Sequence, residues 1–167
     1  TAIAASLIAL RKVNTLVLVH RRQLMDQWRE RLALFLALLT KDIGQIGGGK
    51  NTQTGRLDVA VIQSLIRKGE VKDIMAEYGQ VIVDECHHVS AFSFERVLKK
   101  AKAKYVVGLT ATPVRKDGHH PIILMQCGPI HFNVSSKKQA AASAFQYEVI
   151  PRLTEFTVPP EWTDIGI

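Results

Sequence analysis

One stretch of the chain, Val81-Ile82-Val83-Asp84-Glu85-Cys86-His87-His88, narrows the possible folds more than any other. An apolar, β-branched run leads without a break into two adjacent carboxylates. A buried strand ends this way when it presents acids at the carboxyl edge of a sheet. Asp84 and Glu85 point in different directions there, so one can serve a hydrated metal and the other a water molecule. A second stretch, YVVGLTATP from Tyr105, has the same form: an apolar strand, small hydroxylated residues, then a proline stop. Two strands that both deliver polar groups at their ends suggest a nucleotide site.

The rest of the chain supplies a matching frame. Residues 1–12 are rich in Ala and Leu and read as a helix. Residues 15–19 (TLVLV) form a buried strand, and 23–39 a second, charged helix. A short strand follows over 43–46, then a loop at Gly47-Gly48-Gly49-Lys50, because three glycines hold a regular element poorly. Residues 58–62 (DVAVI) are a strand, 63–75 mostly helical, 80–83 a strand, 92–103 a helix ending in basic residues, and 105–109 a strand. Short strands alternating with helices indicate α/β architecture with a mainly parallel sheet. Beyond Pro113 the pattern weakens. Residues 115–121 are a polar loop, 122–126 fit helix or strand, 140–144 are Ala-rich, and 145–150 alternate like an edge strand. Pro159-Pro160 reads as linker. The expected division is a domain over 1–130 and an extension over 131–167.

Bulk properties are those of a soluble globular chain. Its 167 residues are 47% hydrophobic and 22% charged, enough for one domain with a core. No apolar run reaches the roughly 18 residues of a bilayer span. The N-terminal apolar segment lacks the basic region and small-residue cleavage site of a signal peptide. A net charge of +7 favours a polyanionic partner, nucleic acid first. The two cysteines, Cys86 and Cys127, have no CxxC spacing, which favours a reducing, cytoplasmic setting over a disulfide framework.

In phosphate-cleaving motors Mg²⁺ bridges phosphate oxygens and is held by a hydroxyl and an acid, while a second acid aligns the attacking water. An isolated Asp-Glu pair is more often a solvated turn. Here the preceding strand and the downstream Thr110-Ala111-Thr112 favour the catalytic alternative. With those residues in place the chain resembles the superfamily 2 helicases of the DEAD/DEAH-box group: DECH matches their motif II and TAT their motif III. The resemblance implies a RecA-like P-loop NTPase fold, a three-layer sandwich around a mainly parallel sheet. It implies ATP and Mg²⁺ as cofactors, with Asp84 holding the metal, Glu85 as catalytic base, and His87 between the ATP site and the coupling elements. Thr110, Ala111 and Thr112 would couple ATP state to nucleic-acid grip.

Other matches follow in the order the family shows. Leu18-Val19-His20-Arg21-Arg22-Gln23-Leu24 is similar to motif Ia, where Arg21, Arg22 and the N–H groups of a helix start can bind phosphates. The stretch Gly47 to Gly49 resembles the family's glycine pair, where a phosphate can approach bare backbone, with Gly48 and Gly49 as the candidate contacts; on its own it could be a plain flexible loop. Val61-Ile62-Gln63-Ser64-Leu65 resembles motif Ib, with Gln63 and Ser64 as phosphate contacts; Ser64 could equally be a helix cap alone. HRRQLxxQW, IGGGK, IQSL and TATPVRKDG lie nearest the XPB-like and restriction-motor branches, which act mainly on double-stranded DNA.

One departure limits the reading. The Walker A loop GxGK[ST] is absent, and Thr1 with its Ala-rich helix is similar to the end of that motif, which makes Thr1 a candidate ATP and Mg²⁺ ligand. Helicase motifs IV to VI are absent too and would belong to a second RecA-like domain. The expectation is a first motor domain that does not hydrolyse ATP alone. A missing central strand before Walker A is further expected to leave two neighbouring strands unpaired. Two other readings compete. A degenerate domain could grip nucleic acid without catalysis, although the intact acids and TAT argue against it. A metal site could draw on Cys86, His87, His88, His119, His120 and Cys127, although their spacing fits no zinc pattern.

Overall fold

The computed structural model describes residues 1–67, 70–87, 91–111, 120–134 and 150–151. Expectations resting on His88, Thr112, His119, residues 140–144 and Pro159-Pro160 lie outside that set. The chain divides into two units, Thr1–Ile130 and His131–Ile167, and the fold is that of the first.

Six strands form one sheet in the order β3-β2-β4-β1-β7-β8. At its centre β1 (Thr15–Val19) is buried along its whole length and pairs in parallel with β4 (Leu57–Val61) and β7 (Gln80–Val83). β2 (Gly44–Gly47) joins in parallel beyond β4, and β8 (Tyr105–Gly108) in parallel beyond β7. Only β3 (Lys50–Asn51) runs antiparallel, folded back on β2 through Gly48-Gly49. Both of these glycines have positive φ, 63° and 81°, which a two-residue hairpin turn of this twist demands.

Strand alternation sorts the core into two faces. Leu16, Leu18, Val81 and Val83 pack with Val97, Leu98 and Ile123. These come from α3 (Ala91–Lys99) and α4 (His120–Cys127). Val17, Val19 and Ile82 face Ala4 and Ala5 of α1 (Ala2–Arg11), and Met25, Trp28 and Leu32 of α2 (Arg22–Leu36). The result is three layers: two helices, the sheet, two helices. This is the expected mainly parallel α/β sandwich.

Three expectations need correction. Residues 63–75 are not mostly helical. They form a 3₁₀ turn Ile62–Leu65, an antiparallel pair β5 (Ile66–Arg67) and β6 (Glu70–Val71), and a second 3₁₀ turn Asp73–Glu77. β-branched Ile66 and Val71 pack against the core as strand residues, and Gly69 between them is a hairpin signal rather than a helical one. The helices are also shorter than read. α2 stops at Leu36 because Ala37 turns left-handed at φ 52°, and α3 stops at Lys99. Nor does an open slot lie inside the sheet: β1, β7 and β8 hydrogen-bond directly, and the open edge among the described strands on that side is the outer edge of β8. The segment 122–126, open between helix and strand, is helical within α4.

Among the described residues no helix is long and apolar enough to cross a membrane.

Candidate functional site

Because β1, β2, β4, β7 and β8 are parallel, their carboxyl ends share one sheet edge. Ligands of open α/β sheets bind outside that edge. The residues singled out in the sequence gather there in two groups.

The first group stands at the end of β7. Backbone hydrogen bonds hold it from both neighbours: Asp84 N donates to Leu18 O at 2.9 Å, Leu109 N to Val83 O at 2.8 Å, and Cys86 N to Leu109 O at 3.1 Å. Between these anchors Glu85 takes a left-handed conformation, φ 46°. A non-glycine residue there costs of order 1–3 kcal/mol, and such strain gathers at functional sites. Asp84 and Glu85 line a cleft of about 230 Å³ together with Thr1, Leu24, Gln27, Trp28 and Arg31. Thr1 and Asp84 are thus brought to one cleft. His87 joins the acids to the next strand end: its Nδ1 lies 2.6 Å from Thr110 Oγ1 and 3.3 Å from Glu85 Oε2. That carboxylate oxygen is buried, and no described group hydrogen-bonds to it. Ala111 is exposed just beyond.

A larger cleft of about 690 Å³ lies elsewhere, lined by Arg67, Glu70, Lys72, Asp73, Arg96 and Lys100 among others, and contains neither Asp84 nor Glu85. The chemistry of the strand-end acids, not cleft size, marks the functional site.

The second group is a ledge at the ends of β1, β2 and β4. Arg21 is extended, and Arg22 opens α2; both are exposed. The Arg22 side chain lies over Gly48, where an added Cβ would stand 2.8 Å from its Nε. Ser64 meets Gly47 in the same way, with Oγ 2.6 Å from such a Cβ. Gly49 is open, and Gln63 is exposed beside Ser64. Three stretches spread between Arg21 and Ser64 thus converge, and the bare glycine backbone is what permits the approach.

Cys86 and Cys127 are free thiols that flank Gly108, whose added Cβ would lie 3.2 and 3.1 Å from their sulfurs. Burial pushes Cys86 up to about 11, helped by the Glu85 and Asp84 charges, and Cys127 up to about 12. Both remain protonated at neutral pH, the state of a packing residue rather than a reactive thiol. Among the described residues no group of three or more His, Cys, Asp or Glu is placed to hold a metal.

The sequence reading missed Trp28. Its indole Nε1 donates to Asp84 Oδ2 at 2.6 Å across 56 residues. The signal available was the tryptophan that ends the HRRQLxxQW stretch on the helix after β1, which in the sequence marks the branch and carries no role of its own.

The family model described as "Type III restriction enzyme, res subunit" matches residues 1–115. The chain belongs to this family. Among curated relatives, the DNA 3'-5' translocase XPB2 of Sulfurisphaera tokodaii is 30% identical over 149 residues, covering 89% of this chain and 33% of the relative. A putative DNA 3'-5' helicase Rad25 of Halobacterium salinarum is 38% identical over 106 residues, 62% of this chain and 17% of the relative. The chain therefore spans a third or less of the length of these two relatives. Among solved structures, the UvsW helicase from bacteriophage T4 superposes with TM-score 0.57 at 17% identity over 72% of this chain and 45% of that one. The fold is that of a first RecA-like domain of a superfamily 2 helicase, a member of the type III restriction res-subunit family.

Proposed function

We propose that this res-family domain is the first motor domain of an ATP-driven DNA helicase or translocase. The observation that carries the proposal is the shared sheet edge: strand-end acids in a cleft at one part of it, a glycine-and-arginine ledge at another. In this reading Glu85 activates the attacking water. Asp84 and the Thr1 hydroxyl would hold Mg²⁺, which would supply charge stabilisation at the phosphates. A hydroxyl and a carboxylate that line one cleft are hard oxygen donors of the kind that would suit Mg²⁺. His87 and Thr110 carry the state of that cleft to the end of β8, with Ala111 and Thr112 next in line. Arg21, Arg22, Gly48, Gly49, Gln63 and Ser64 contact the phosphodiester backbone. The phosphate-binding lysine and the arginine finger come from outside these residues, the latter from a second RecA-like domain of the same protein. Relatives named as DNA 3'-5' motors and the net charge of +7 support DNA, and duplex DNA is the favoured form.

Phosphate contacts without base contacts make binding salt-dependent and largely sequence-blind. Arg22→Ala is expected to weaken duplex binding and to flatten the plot of log affinity against log salt by about 0.9 per lost contact. Gly48→Ala should act similarly, since its Cβ displaces Arg22 and its φ of 63° disfavours any side chain. Fluorescence anisotropy with duplex DNA, single-stranded DNA and duplex RNA from about 50 to 200 mM salt measures this. An Arg22→Ala slope identical to wild type would remove the ledge from the nucleic-acid path, and tighter binding of duplex RNA would overturn the choice of DNA.

A further inference from the structure

Among the described residues the shortest side-chain contact to the strand-end acids comes from Trp28, the last residue of the HRRQLxxQW stretch, to which the proposed function gives no role. Trp28 is 3% exposed, and its only polar atom donates to Asp84 Oδ2 at 2.6 Å. Indole N–H is a donor and never an acceptor, so the bond has one polarity and fixes one carboxylate oxygen. A hydrogen bond to an ionised acceptor is short and about twice as strong as a neutral one. Among the described residues Asp84 forms no ion pair, so no cation competes to orient it. Oδ2 is engaged by Trp28, which leaves Oδ1 as the oxygen available to a ligand in the cleft that Trp28, Thr1 and Asp84 share.

The same helix carries the ledge. Arg22 is the first residue of α2, and Trp28 follows six residues later, about 9 Å along the axis. α2 is clamped as a unit. Met25, Trp28, Leu32 and Ala33 bury one face. Arg29 donates to the carbonyls of Ile43 and Thr40 and to Gln45 Oε1, at 3.0–3.1 Å. Gln45 in turn donates to Gly47 O at 3.2 Å. One rigid element therefore touches the glycine turn at its start and the first acid at its second turn.

We propose that Trp28 is a positioning residue that holds the Asp84 carboxylate for a metal–nucleotide ligand, and that α2 is the physical link between phosphate contact at Arg22 and Gly48 and the geometry of Asp84. This rests on the reading of Asp84 as the metal-holding acid. A tryptophan serving only the core would need its ring buried and its N–H satisfied by any acceptor. What separates the two roles is the identity of the acceptor.

The test uses the full-length protein as wild type, Trp28→Phe and Asp84→Asn. Phe keeps the ring packing and removes the donor. In ¹⁵N-labelled wild-type protein the Trp28 indole resonance, identified by its loss in Trp28→Phe, is expected to move in Asp84→Asn and again when Mg²⁺ with a non-hydrolysable ATP analogue is added. Trp28→Phe is expected to raise the Mg²⁺ concentration for half-maximal ATP turnover about 10-fold, the usual scale for an outer-shell partner. Its stimulation by DNA should fall while its DNA affinity stays at the wild-type value. An indole resonance insensitive to both Asp84→Asn and the nucleotide overturns the inference, and this readout stands even if Trp28→Phe folds poorly. Wild-type Mg²⁺ dependence in Trp28→Phe, beside an inactive Asp84→Asn, overturns the inference and leaves the motor reading intact. Full Mg²⁺-dependent turnover in Asp84→Asn overturns the motor reading itself.

Discussion

In the full-length protein Glu85→Gln is expected to lower ATP turnover by about 10²–10⁴-fold, the range for loss of a general base, and to leave nucleotide and DNA binding near wild type. The side chains are nearly isosteric, so the left-handed backbone at φ 46° and the hydrogen bonds around it are retained. What changes is the ability to take a proton. Glu85 is suited to that task by its surroundings. Oε2 is buried beside His87 Nδ1 at 3.3 Å without a hydrogen bond, while the side chain as a whole is 39% exposed to the cleft. One face is thus held against the protein and the other stays open to water. Steady-state turnover together with equilibrium binding of a fluorescent nucleotide reads the effect. A loss smaller than about 10-fold would place the base elsewhere.

The largest effect on stability is expected at Asp58, at the opposite end of the sheet. It is fully buried in β4. Its carboxylate accepts from Thr54 N at 2.8 Å, Thr54 Oγ1 at 2.7 Å, Gly55 N at 2.8 Å and Tyr78 Oη at 2.5 Å. Gly44 on β2 has no room for a side chain, since its Cβ would stand 1.7 Å from Asp58 Oδ1. Asp58→Ala leaves the buried Tyr78 hydroxyl and the Thr54-Gly55 turn without their acceptor. An orphaned buried donor costs about 1–3 kcal/mol, and with the turn released the expected loss is about 3 kcal/mol, measured by urea unfolding with an unchanged m-value. A loss within about 0.5 kcal/mol, the range of ordinary surface substitutions, would show that the network is not structural. The same network has a pH signature. Burial, then the hydrogen bond and charge of Asp58, raise the Tyr78 pKa above its usual 10.0. A group whose folded pKa is raised stabilises fully below the unfolded value, so this contribution is present at neutral pH and declines as pH rises beyond about 10.

Much of this was legible in the sequence where a signal is local. β1 and β7 lie where uniform apolar runs place them, because a central parallel strand buried on both faces needs no partner to announce itself. The acids, Thr110 and the Arg22–Gly48–Ser64 ledge were legible because each sits directly after such a strand, and parallel strands bring their ends to one edge. What failed were features decided by distant partners. Residues 63–75 carry helix-compatible residues, yet Ile66 and Val71 gain more from packing as paired strand residues. In the sequence Trp28 stands only as part of the HRRQLxxQW stretch on a helix, and Asp58 only as a strand residue. Their roles depend on acceptors and donors 56 and 20 residues away, and no spacing rule on one chain finds those. That the sheet has no internal gap, and that its open edge on that side is the outer edge of β8, follows only from the direct β1–β7–β8 pairing.

The central claim is that the acids and the ledge are two parts of one machine, so that DNA on the ledge is felt at Asp84 and Glu85. The most direct measurement is the ATP turnover of the full-length protein with and without duplex DNA, for wild type and Arg22→Ala. The expected result is turnover that rises with duplex DNA, and in Arg22→Ala a rise that needs more DNA and disappears sooner as salt is raised, with basal turnover unchanged. Turnover that is the same with and without DNA, in a protein shown to bind DNA under the same conditions, would contradict the account.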